Sequence, residues 1–390
     1  LARSVIVLDE AQTLPLALLR PCVAALKELA ANHGCSIVLC TATQPALLAA
    51  GPGGGRAFTD GFENTVELAP DPPALFEALR RVRVENIGEQ ADEQIAARLA
   101  KADQALCIVN RRAHAQALYE AIRVLGGARH LSTLMCARHR RCVLAEIRED
   151  LTAGRPCRVI STSLIEAGVD IDFPLVLRAE AGLDSILQAA GRCNREGRRD
   201  IEASRTLVFR PADGKRLQSM RAPIETSEAV FRQFGDVTRL EAVSAYFDQL
   251  LWRKGDEALD EKAILRRCQD RMLTLDFPFK SIAADFQMID DYSQPVIIEW
   301  DDEARKAVNR LRHLPEGFTP GGLARDLQSY TVGLPPNARN QLIASGAAEV
   351  ICEERYDDQF VVLVNGDLYR SDIGLSYADP TLMDAERLMV

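Results

Sequence analysis

The sequence predicts an α/β protein with parallel sheets that are covered by helices on both faces. Three observations support this fold class. Up to about residue 215, short apolar runs alternate with amphipathic helical segments. Runs such as ALCIVN (105–110) are continuously apolar, which is typical of strands that are buried on both faces. A break in the pattern near residues 70–100 divides the alternation into two units.

The first unit is predicted to contain three strands and one helix. SVIVL (4–8) and CSIVLC (35–40) have the apolar, β-branched composition of strands, and ENTVELAP (63–70) is predicted to be a third. The segment 15–34 is predicted to be a helix that ends at Gly34, because glycine favours the residue after a helix.

The second unit is predicted to alternate five strands with three helices. The predicted strands are ALCIVN (105–110), RHLST (129–133), CRVIST (157–162), PLVLRA (174–179) and RTLVFR (205–210), and the predicted helices span 111–124, 138–153 and 183–191. This pattern predicts a parallel sheet.

Beyond the second unit the character of the sequence changes twice. Residues 216–275 are helical in pattern and charged, with little strand character. From residue 276 onward, proline, glycine and aromatic residues increase. VVLVNGDLYR (361–370) predicts a hairpin around Asn365-Gly366, because this dipeptide favours two-residue turns.

Composition and charge limit the possible classes of function. Of the 390 residues, 47% are hydrophobic and 26% are charged, as in ordinary globular proteins, and no apolar run is long enough to span a membrane. The ten cysteines never form a CxxC pair, which favours a reducing cytoplasmic location and disfavours a zinc site. The net charge of −9 disfavours broad coating of nucleic acid. RHRR (138–141) and RCNREGRR (192–199) are local basic patches that either track phosphates or form solvated faces.

Two acidic residues follow the first predicted strand directly. Parallel α/β sheets bind ligands at the carboxyl ends of their strands. Asp9 and Glu10 stand at such an end, after SVIVL. An aspartate there can hold Mg²⁺ and an adjacent glutamate can accept a proton from an attacking water molecule. Taken alone, a strand that ends in Asp-Glu is a weak signal, and a purely structural role stays open.

Three further segments carry polar residues after a strand or on a helix. CTATQP (40–45) places hydroxyl groups at a strand end, and STSLIEAGVDID (161–172) combines hydroxyls, a glycine and acidic residues. QAAGRCNREGR (188–198) contains Arg192 and Arg195, which are three residues apart and are predicted to share one face of a helix. Two guanidinium groups that point to one place suit a transferring phosphoryl group.

The order of these segments resembles the motifs of superfamily 2 helicases. DEAQ, TAT, TSLIEAGVDID and QAAGRCNR resemble motifs II, III, V and VI in that order. Longer segments are similar to the CRISPR-associated helicase–nuclease family of type I systems, in a form like that of the I-C subtype. They are HLSTLMCARHRR (130–141), TSLIEAGVDIDFP (162–174), LDSILQAAGRCNREGR (183–198), FPFKSIAADFQMIDD (277–291), LQSYTVGLP (327–335) and DLYRSDIGL (367–375).

The resemblance covers essentially the whole chain and implies its domain organisation. It implies two RecA-like parallel-sheet domains, the first truncated at its N-terminus, then a helical linker and a small α+β C-terminal domain. The implied ranges are 1–72, 73–215, 216–275 and 276–390. In the family, an HD nuclease domain and a phosphate-binding loop precede DEAQ, but the sequence contains neither GxxxxGK[ST] nor a His-Asp pair. We therefore expect a carboxyl-terminal fragment or one part of a split protein.

The resemblance also implies the cofactors, ATP and Mg²⁺, and a set of site residues. Asp9 would bind Mg²⁺, Glu10 would activate the hydrolytic water, and Arg192 and Arg195 would reach the γ-phosphate. The other implied roles are contact with the nucleotide for Gly168, Asp170 and Gln188, coupling of the nucleotide site to DNA for Thr41 and Thr43, and contact with single-stranded DNA for Asn110 and Thr162. Asn110-Arg111-Arg112 departs from the commoner asparagine–threonine start of its motif.

Three functions stay open at this point. The resemblance implies an ATP-driven 3′-to-5′ DNA translocase that unwinds target DNA and feeds a nuclease. Its implied partners are single-stranded and R-loop DNA and a Cascade-like effector complex that recruits it. Another superfamily 2 nucleic-acid ATPase is the second possibility, which the C-terminal segment disfavours. The third is a module that binds DNA or the effector without hydrolysing ATP, and the missing phosphate-binding loop favours it for the chain in isolation.

Overall fold

The computed structural model describes residues 1–41, 47–49, 58, 60–166, 168–288, 293–315 and 319–377. Its first unit is a two-stranded parallel sheet with one long helix. The elements are β1 (Val5–Asp9), α1 (Leu19–His33) and β2 (Ser36–Cys40). The two strands pair from Val5 opposite Ser36 to Asp9 opposite Cys40. Gly34 ends α1 in the left-handed conformation, at φ 63°, as the sequence predicts.

One strand predicted in the first unit does not form. Residues 63–70 contain neither helix nor strand, so that prediction is wrong. Val66 and Leu68 are 81% and 76% exposed, and the one-sided burial that stabilises a strand is therefore missing. Asp71 then begins α2 (Pro72–Ala78) by accepting a hydrogen bond from the amide of Ala74 at 3.1 Å.

The second unit is a six-stranded sheet in which every strand pair is parallel. Its strands are β3 (Arg83–Gln90), β4 (Gln104–Val109), β5 (Ala128–Leu131), β6 (Cys157–Thr162), β7 (Leu175–Ala179) and β8 (Arg205–Pro211). Its helices are α3 (Asp92–Lys101), α4 (Arg112–Ile122), α5 (Ala137–Thr152) and α6 (Leu183–Ala190). The order is β3-β8-β7-β4-β6-β5. The five predicted strands are confirmed.

The sequence missed β3 and α3, which lie in the break that was predicted between the units. β3 is the edge strand beside β8, and its sequence RVENIGEQ is mostly polar and partly exposed. An edge strand of this kind lacks the continuous apolar run that identifies the central strands.

Helices cover both faces of this sheet, and β4 shows how. Leu106 and Ile108 pack into one buried cluster with Ile147 of α5, whereas Cys107 and Val109 pack into another with residues of α3 and α4. Side chains of successive residues point to opposite faces of a strand. A strand with apolar residues at every position is therefore stable only between two helical layers, as the sequence predicts.

A helical segment joins the first unit to the second. Its helices are α7 (Arg221–Gln233), α8 (Leu240–Ala258), α9 (Ile264–Gln269) and α10 (Phe279–Asp285). Leu19 and Val23 of α1, Leu183 of α6 and Val243 of α8 lie in one buried cluster. The amide of Arg20 also donates to the carbonyl oxygen of residue 259, at the end of α8. The two sheets are therefore held together through these helices.

The last part of the described chain is a small α+β unit. Its elements are β9 (Gln294–Ile297), α11 (Asp302–Arg312), α12 (Gly321–Leu327), β10 (Thr331–Leu334), α13 (Pro336–Ala344), β11 (Ala348–Val350), α14 (Glu353–Tyr356), β12 (Val361–Leu363), β13 (Tyr369–Arg370) and β14 (Gly374–Leu375). The main sheet has the order β10-β9-β12-β11, and β13 pairs only with β14.

The hairpin predicted over residues 361–370 is wrong. β12 pairs with β11 and β9, and it does not pair with β13. The side chain of Asn365 accepts a hydrogen bond from the amide of Asp367 at 3.1 Å and begins a short 3₁₀ turn. Side-chain capping of this kind competes with the two-residue hairpin turn that Asn-Gly otherwise favours.

The strand pair β13–β14 packs directly on the second unit. Ile373, between the two strands, lies in the buried cluster that α3 and α4 cover. The imidazole of His139 on α5 stacks on Trp300, with ring centroids 3.9 Å apart. The C-terminal unit and the six-stranded unit thus share buried contacts. In the part of the chain that the structure describes, no helix combines the length and apolar character of a membrane span.

Candidate functional site

The carboxyl end of β1 presents two acidic side chains. Asp9 is the last residue of the strand, and Glu10 turns the chain sharply in the left-handed conformation, at φ 52°. The amide of Glu10 donates to Oδ1 of Asp9 at 3.1 Å, and both residues are exposed. The left-handed turn takes Glu10 out of the strand direction and keeps its carboxylate at the sheet edge, where α/β folds bind ligands.

A hydrogen-bonded chain links this turn to the end of β2. Gln12 donates from Nε2 to the carboxylate of Glu10, and Thr41 donates from its hydroxyl to Oε1 of Gln12. Because β1 and β2 are parallel neighbours, the residues that follow them meet at the same sheet edge. The structure thus brings together Glu10 and Thr41, two of the predicted site residues. Thr43 lies outside the described residues.

Arg192 and Arg195 do not share a helix face, so that prediction is wrong. Helix α6 ends at Ala190, and the residues that follow it form turns and an isolated bridge at residue 193. Asn194 has φ 48°, and its buried side chain exchanges hydrogen bonds with the backbone of Arg199 and donates from Nδ2 to the carbonyl oxygen of Arg81. Residues 192–194 therefore run beside Phe173 like a short strand: Phe173 donates to the carbonyl oxygen of residue 192 at 2.9 Å.

Arg192 holds the turn that follows β6. Its Nε donates to the carbonyl oxygen of Ile165 at 3.1 Å, and its Nη2 donates to the carbonyl oxygen of Glu166. Burial lowers the pKa of the Arg192 guanidinium, and the charge of Arg195 acts in the same direction, whereas the carboxylates of Glu10 and Glu166 raise it.

Arg195 lies on the exposed side of the same turn. Its Nε donates to Oδ1 of Asp170 at 2.6 Å, and its amide donates to Oδ1 of Asp172 at 2.7 Å. Gly168 precedes these acidic residues with φ 67°, and a Cβ atom there would meet no atom within 4 Å. The predicted residues Gly168, Asp170 and Arg195 are thus neighbours on an open edge.

The remaining predicted residues are placed at the same end of the sheet. Gln188 lies on α6 and is partly buried. Thr162 is the last residue of β6, is buried, and pairs with Val109 of β4. Asn110 follows β4 directly, and both polar atoms of its side chain have partners. Nδ2 donates to the carbonyl oxygen of Glu180 at 2.7 Å, and Oδ1 accepts from Arg178 at 2.7 Å. A contact between Asn110 and DNA would require this arrangement to open.

A cavity of about 800 Å³ separates the second unit from the C-terminal sheet. Three arginines line it, Arg112 and Arg140 from the second unit and Arg325 from α12. Thr133, after β5, and Phe360 also line it. Burial lowers the pKa of the Arg140 guanidinium. RHRR (138–141), which contains Arg140, was identified in the sequence as a basic patch, but its proximity to Arg112 and Arg325 was not predicted. Arg325 is distant in the sequence and lines the cavity only because the fold brings α12 close to the second unit.

The acidic end of β1 fits a magnesium ion that is bound together with a nucleotide. Among the described residues, no group of three or more His, Cys, Asp or Glu is placed to hold a metal ion. Mg²⁺ needs fewer protein ligands than such a cluster provides, because it keeps water molecules and binds substrate phosphates. The exposed carboxylate of Asp9 offers the oxygen ligand that this ion prefers.

Comparisons of sequence connect part of the chain with a known family. Residues 101–198, which are 98 of the 390 residues, match the family model described as CRISPR-associated nuclease/helicase Cas3, C-terminal. The CRISPR-associated nuclease/helicase Cas3 of Haloferax volcanii is 45% identical over 74 residues, which make up 19% of this chain and 8% of that protein.

Solved structures that share this fold include Cas3 proteins and a chain of a CRISPR complex. Cas3 of T. fusca with AMPPNP aligns with a TM-score of 0.60 at 15% identity, over 96% of this chain and 54% of that chain. The ATP-bound form gives 0.57 at 16% identity, over 92% and 50%. A chain of a CRISPR RNA-guided surveillance complex in the pre-nicking state gives 0.55 at 16% identity, over 92% and 53%.

These comparisons establish the fold. The chain spans about half the length of the solved structures that it matches. At identities near 15%, the likeness concerns architecture, and it confirms the predicted α/β class with RecA-like sheets followed by a further unit.

Proposed function

We propose that this chain is the ATP-dependent DNA helicase portion of a CRISPR type I helicase–nuclease of the Cas3 kind, in a form like that of the I-C subtype. One observation carries the proposal. Two α/β units, packed together through one buried cluster, present a candidate base, Glu10, after β1 and a candidate phosphate-binding guanidinium, Arg192, at the turn that follows β6. ATP bound between the units would touch both sides. The family match over residues 101–198 supports the same assignment.

In this proposal the residues at the edge divide the chemistry between the two units. Glu10 accepts a proton from the water molecule that attacks the γ-phosphorus, and Gln12 orients its carboxylate. Asp9 holds the magnesium ion, which supplies charge neutralisation for the phosphates when bound. Arg195 leaves the carboxylate of Asp170 and binds the γ-phosphate instead. There it stabilises the negative charge that develops as ADP leaves.

The second part of the proposal concerns the nucleic acid. The cavity lined by Arg112, Arg140 and Arg325 offers positive charge to a phosphate backbone. We assign this cavity to single-stranded DNA, including the displaced strand of an R-loop. A Cascade-like effector complex is the proposed recruiting partner, because one structure with the same fold belongs to an RNA-guided surveillance complex.

Turnover requires a phosphate-binding loop, and the 390 residues contain no GxxxxGK[ST] sequence. We call a protein in which this chain is joined to such a loop, covalently or as a complex, the loop-complete protein. The test measures ATP turnover with and without single-stranded DNA. We expect DNA-stimulated turnover by the loop-complete protein and none by the 390-residue chain alone. A loop-complete protein that binds DNA but never hydrolyses ATP would overturn the proposal.

One observation favours a second candidate, a DNA- or effector-binding module without ATPase activity. The absent GxxxxGK[ST] motif leaves the β- and γ-phosphates without their usual cradle in this chain. If this candidate is correct, the chain alone binds single-stranded DNA as tightly as the loop-complete protein does. Addition of the loop then also leaves the rate of ATP hydrolysis unchanged.

A further inference from the structure

Arg178 is a charged residue at the centre of the six-stranded sheet. It lies in β7, between β4 and β8, and none of its surface is exposed. A buried guanidinium is costly unless charges and hydrogen bonds compensate it. Arg178 has such partners on three chain segments: Nη1 donates to Oδ1 of Asn110 at 2.7 Å, Nη2 donates to Oγ of Ser185 at 3.0 Å, and Nε lies 2.7 Å from Oε1 of Glu166.

Glu166 is held from two directions. Its carboxylate forms the ion pair with Arg178 and accepts a hydrogen bond from the hydroxyl of Ser185 at 2.6 Å. Its carbonyl oxygen accepts from the guanidinium of Arg192. Burial raises the pKa of the Glu166 carboxyl, and the charge of Arg178 opposes that shift. The position of Glu166 therefore determines where the acceptors of Arg192 lie.

We propose that Arg178 is a positioning residue for ATP hydrolysis: through Glu166 it fixes the turn that holds the Arg192 guanidinium, and through Asn110 it ties this turn to the end of β4. The inference rests on the proposed function, and it adds a residue that lies in no helicase motif found in the sequence.

Physical reasoning separates this role from simple stabilisation. An apolar pair of similar volume is often as stable as a buried ion pair, so stability alone does not require a charge here. The planar guanidinium presents donors in fixed directions, and Arg178 uses them on partners that follow β4, β6 and β7. Such a residue fixes the orientation of the side chains that it contacts. Small displacements of reacting groups from their productive positions lower the reaction rate by large factors.

The experiment compares variants of the loop-complete protein. Arg178→Met combined with Glu166→Leu removes both charges together and so avoids an unpaired buried charge. We expect this double variant to unfold cooperatively, to keep the KM for ATP, and to lose about 100-fold in kcat. The matched control is Arg339→Met, since Arg339 is also buried and ion-paired, to Asp358 at 2.7 Å, but lies in the C-terminal unit. The control should keep kcat.

A second comparison tests whether Arg178 acts through Arg192. If it does, adding Arg192→Ala to the double variant lowers kcat no further than Arg192→Ala alone, because both changes release the same turn. Multiplicative losses would overturn the inference, and so would a folded double variant with the parent kcat. If the double variant does not fold, Ser185→Ala takes its place. It removes only the hydroxyl shared by Arg178 and Glu166 and should lower kcat with KM unchanged. An unchanged kcat would again overturn the inference.

A readout without ATP separates this inference from the proposed function. In the 390-residue chain, the amide of Glu166 donates to the carbonyl oxygen of Ser163 at 3.0 Å. Hydrogen exchange at this amide should accelerate in the double variant, because the turn loses its anchor, and should not accelerate in Arg339→Met. A parent protein without turnover would contradict the proposed function alone. Unchanged exchange at Glu166 would contradict the role of Arg178.

Discussion

The amide of Leu375 donates to the carbonyl oxygen of Leu134 at 2.8 Å, so β14 lies directly on the segment that follows β5. Gly374 makes this approach possible. Its φ is 81°, and a Cβ atom there would stand 2.4 Å from the same carbonyl oxygen. The C-terminal unit is thus attached to the six-stranded unit at a point where only a residue without a side chain fits.

Replacement of this glycine should therefore weaken the attachment. We expect Gly374→Ala to lower the free energy of unfolding by about 1–3 kcal/mol in urea denaturation, because the methyl group meets backbone atoms. Gly346→Ala is the matched control, since Gly346 has a similar φ of 75° and open space around its Cβ position. It measures the backbone strain alone. Equal losses in the two variants would show that contact with Leu134 contributes nothing.

His130 should make stability depend on pH. Burial lowers its pKa from 6.5 to about 4, and neither ring nitrogen has a hydrogen-bond partner among the described residues. Asp372 raises this pKa slightly, Arg370 and His139 lower it, and the ring of Tyr119 lies 5.7 Å away. Between pH 6.5 and 4 the unfolded chain binds a proton that the folded chain excludes. The free energy of unfolding therefore decreases by about 3 kcal/mol as the pH falls through this window.

The variant His130→Leu removes the titrating group and keeps an apolar side chain of similar size. We expect the midpoint of thermal unfolding to fall less steeply between pH 6.5 and 4 than in the parent. His33→Leu, at an exposed position, should keep the slope of the parent. Parallel curves for the parent and His130→Leu would mean that His130 is protonated in the folded protein.

The fold was predictable where burial leaves a pattern in the sequence. The central strands β4, β6, β7 and β8 contain apolar runs because helices cover both faces of the sheet, and each was predicted. β3 was missed because its sequence, RVENIGEQ, is mostly polar and none of its residues is fully buried. Residues 63–70 were wrongly predicted to form a strand, because their composition suits a strand but nothing covers Val66 and Leu68.

The candidate site was predictable only in part, for a related reason. Asp9 and Glu10 were selected as candidates because polar residues directly after a predicted strand are informative, whereas Asp170 was assigned by the resemblance to the helicase family. The role of Arg178 was not found, because an arginine inside a strand gives no indication of its partners. One of those partners, Asn110, lies 68 residues away and meets it only because β4 and β7 are neighbours in the sheet.

Glu10→Gln in the loop-complete protein should separate nucleotide binding from hydrolysis. Glutamine keeps the size and the hydrogen-bonding capacity of the side chain but does not accept a proton from water. We expect ATP to bind with unchanged affinity and turnover to fall by about 100- to 10,000-fold. Glu28→Gln on the exposed face of α1 serves as the control. Normal turnover in Glu10→Gln would remove Glu10 as the base.

The most direct test of the ATPase account is Arg195→Ala in the loop-complete protein, with two quantities measured on each variant. One is DNA-stimulated ATP turnover, and the other is the salt dependence of single-stranded DNA binding. Arg198→Ala is the matched control, because Arg198 belongs to the same basic patch but is highly exposed and pairs with Glu196.

If Arg195 stabilises the charge on the γ-phosphate, its loss should reduce turnover by about 10³- to 10⁵-fold and leave DNA affinity nearly unchanged. Arg198→Ala should keep turnover. If the patch only follows the DNA backbone, Arg195→Ala should instead keep turnover at saturating DNA and make the salt dependence of binding shallower by about one charge. That second result would contradict the account in which this chain contributes residues from both of its units to an ATPase site.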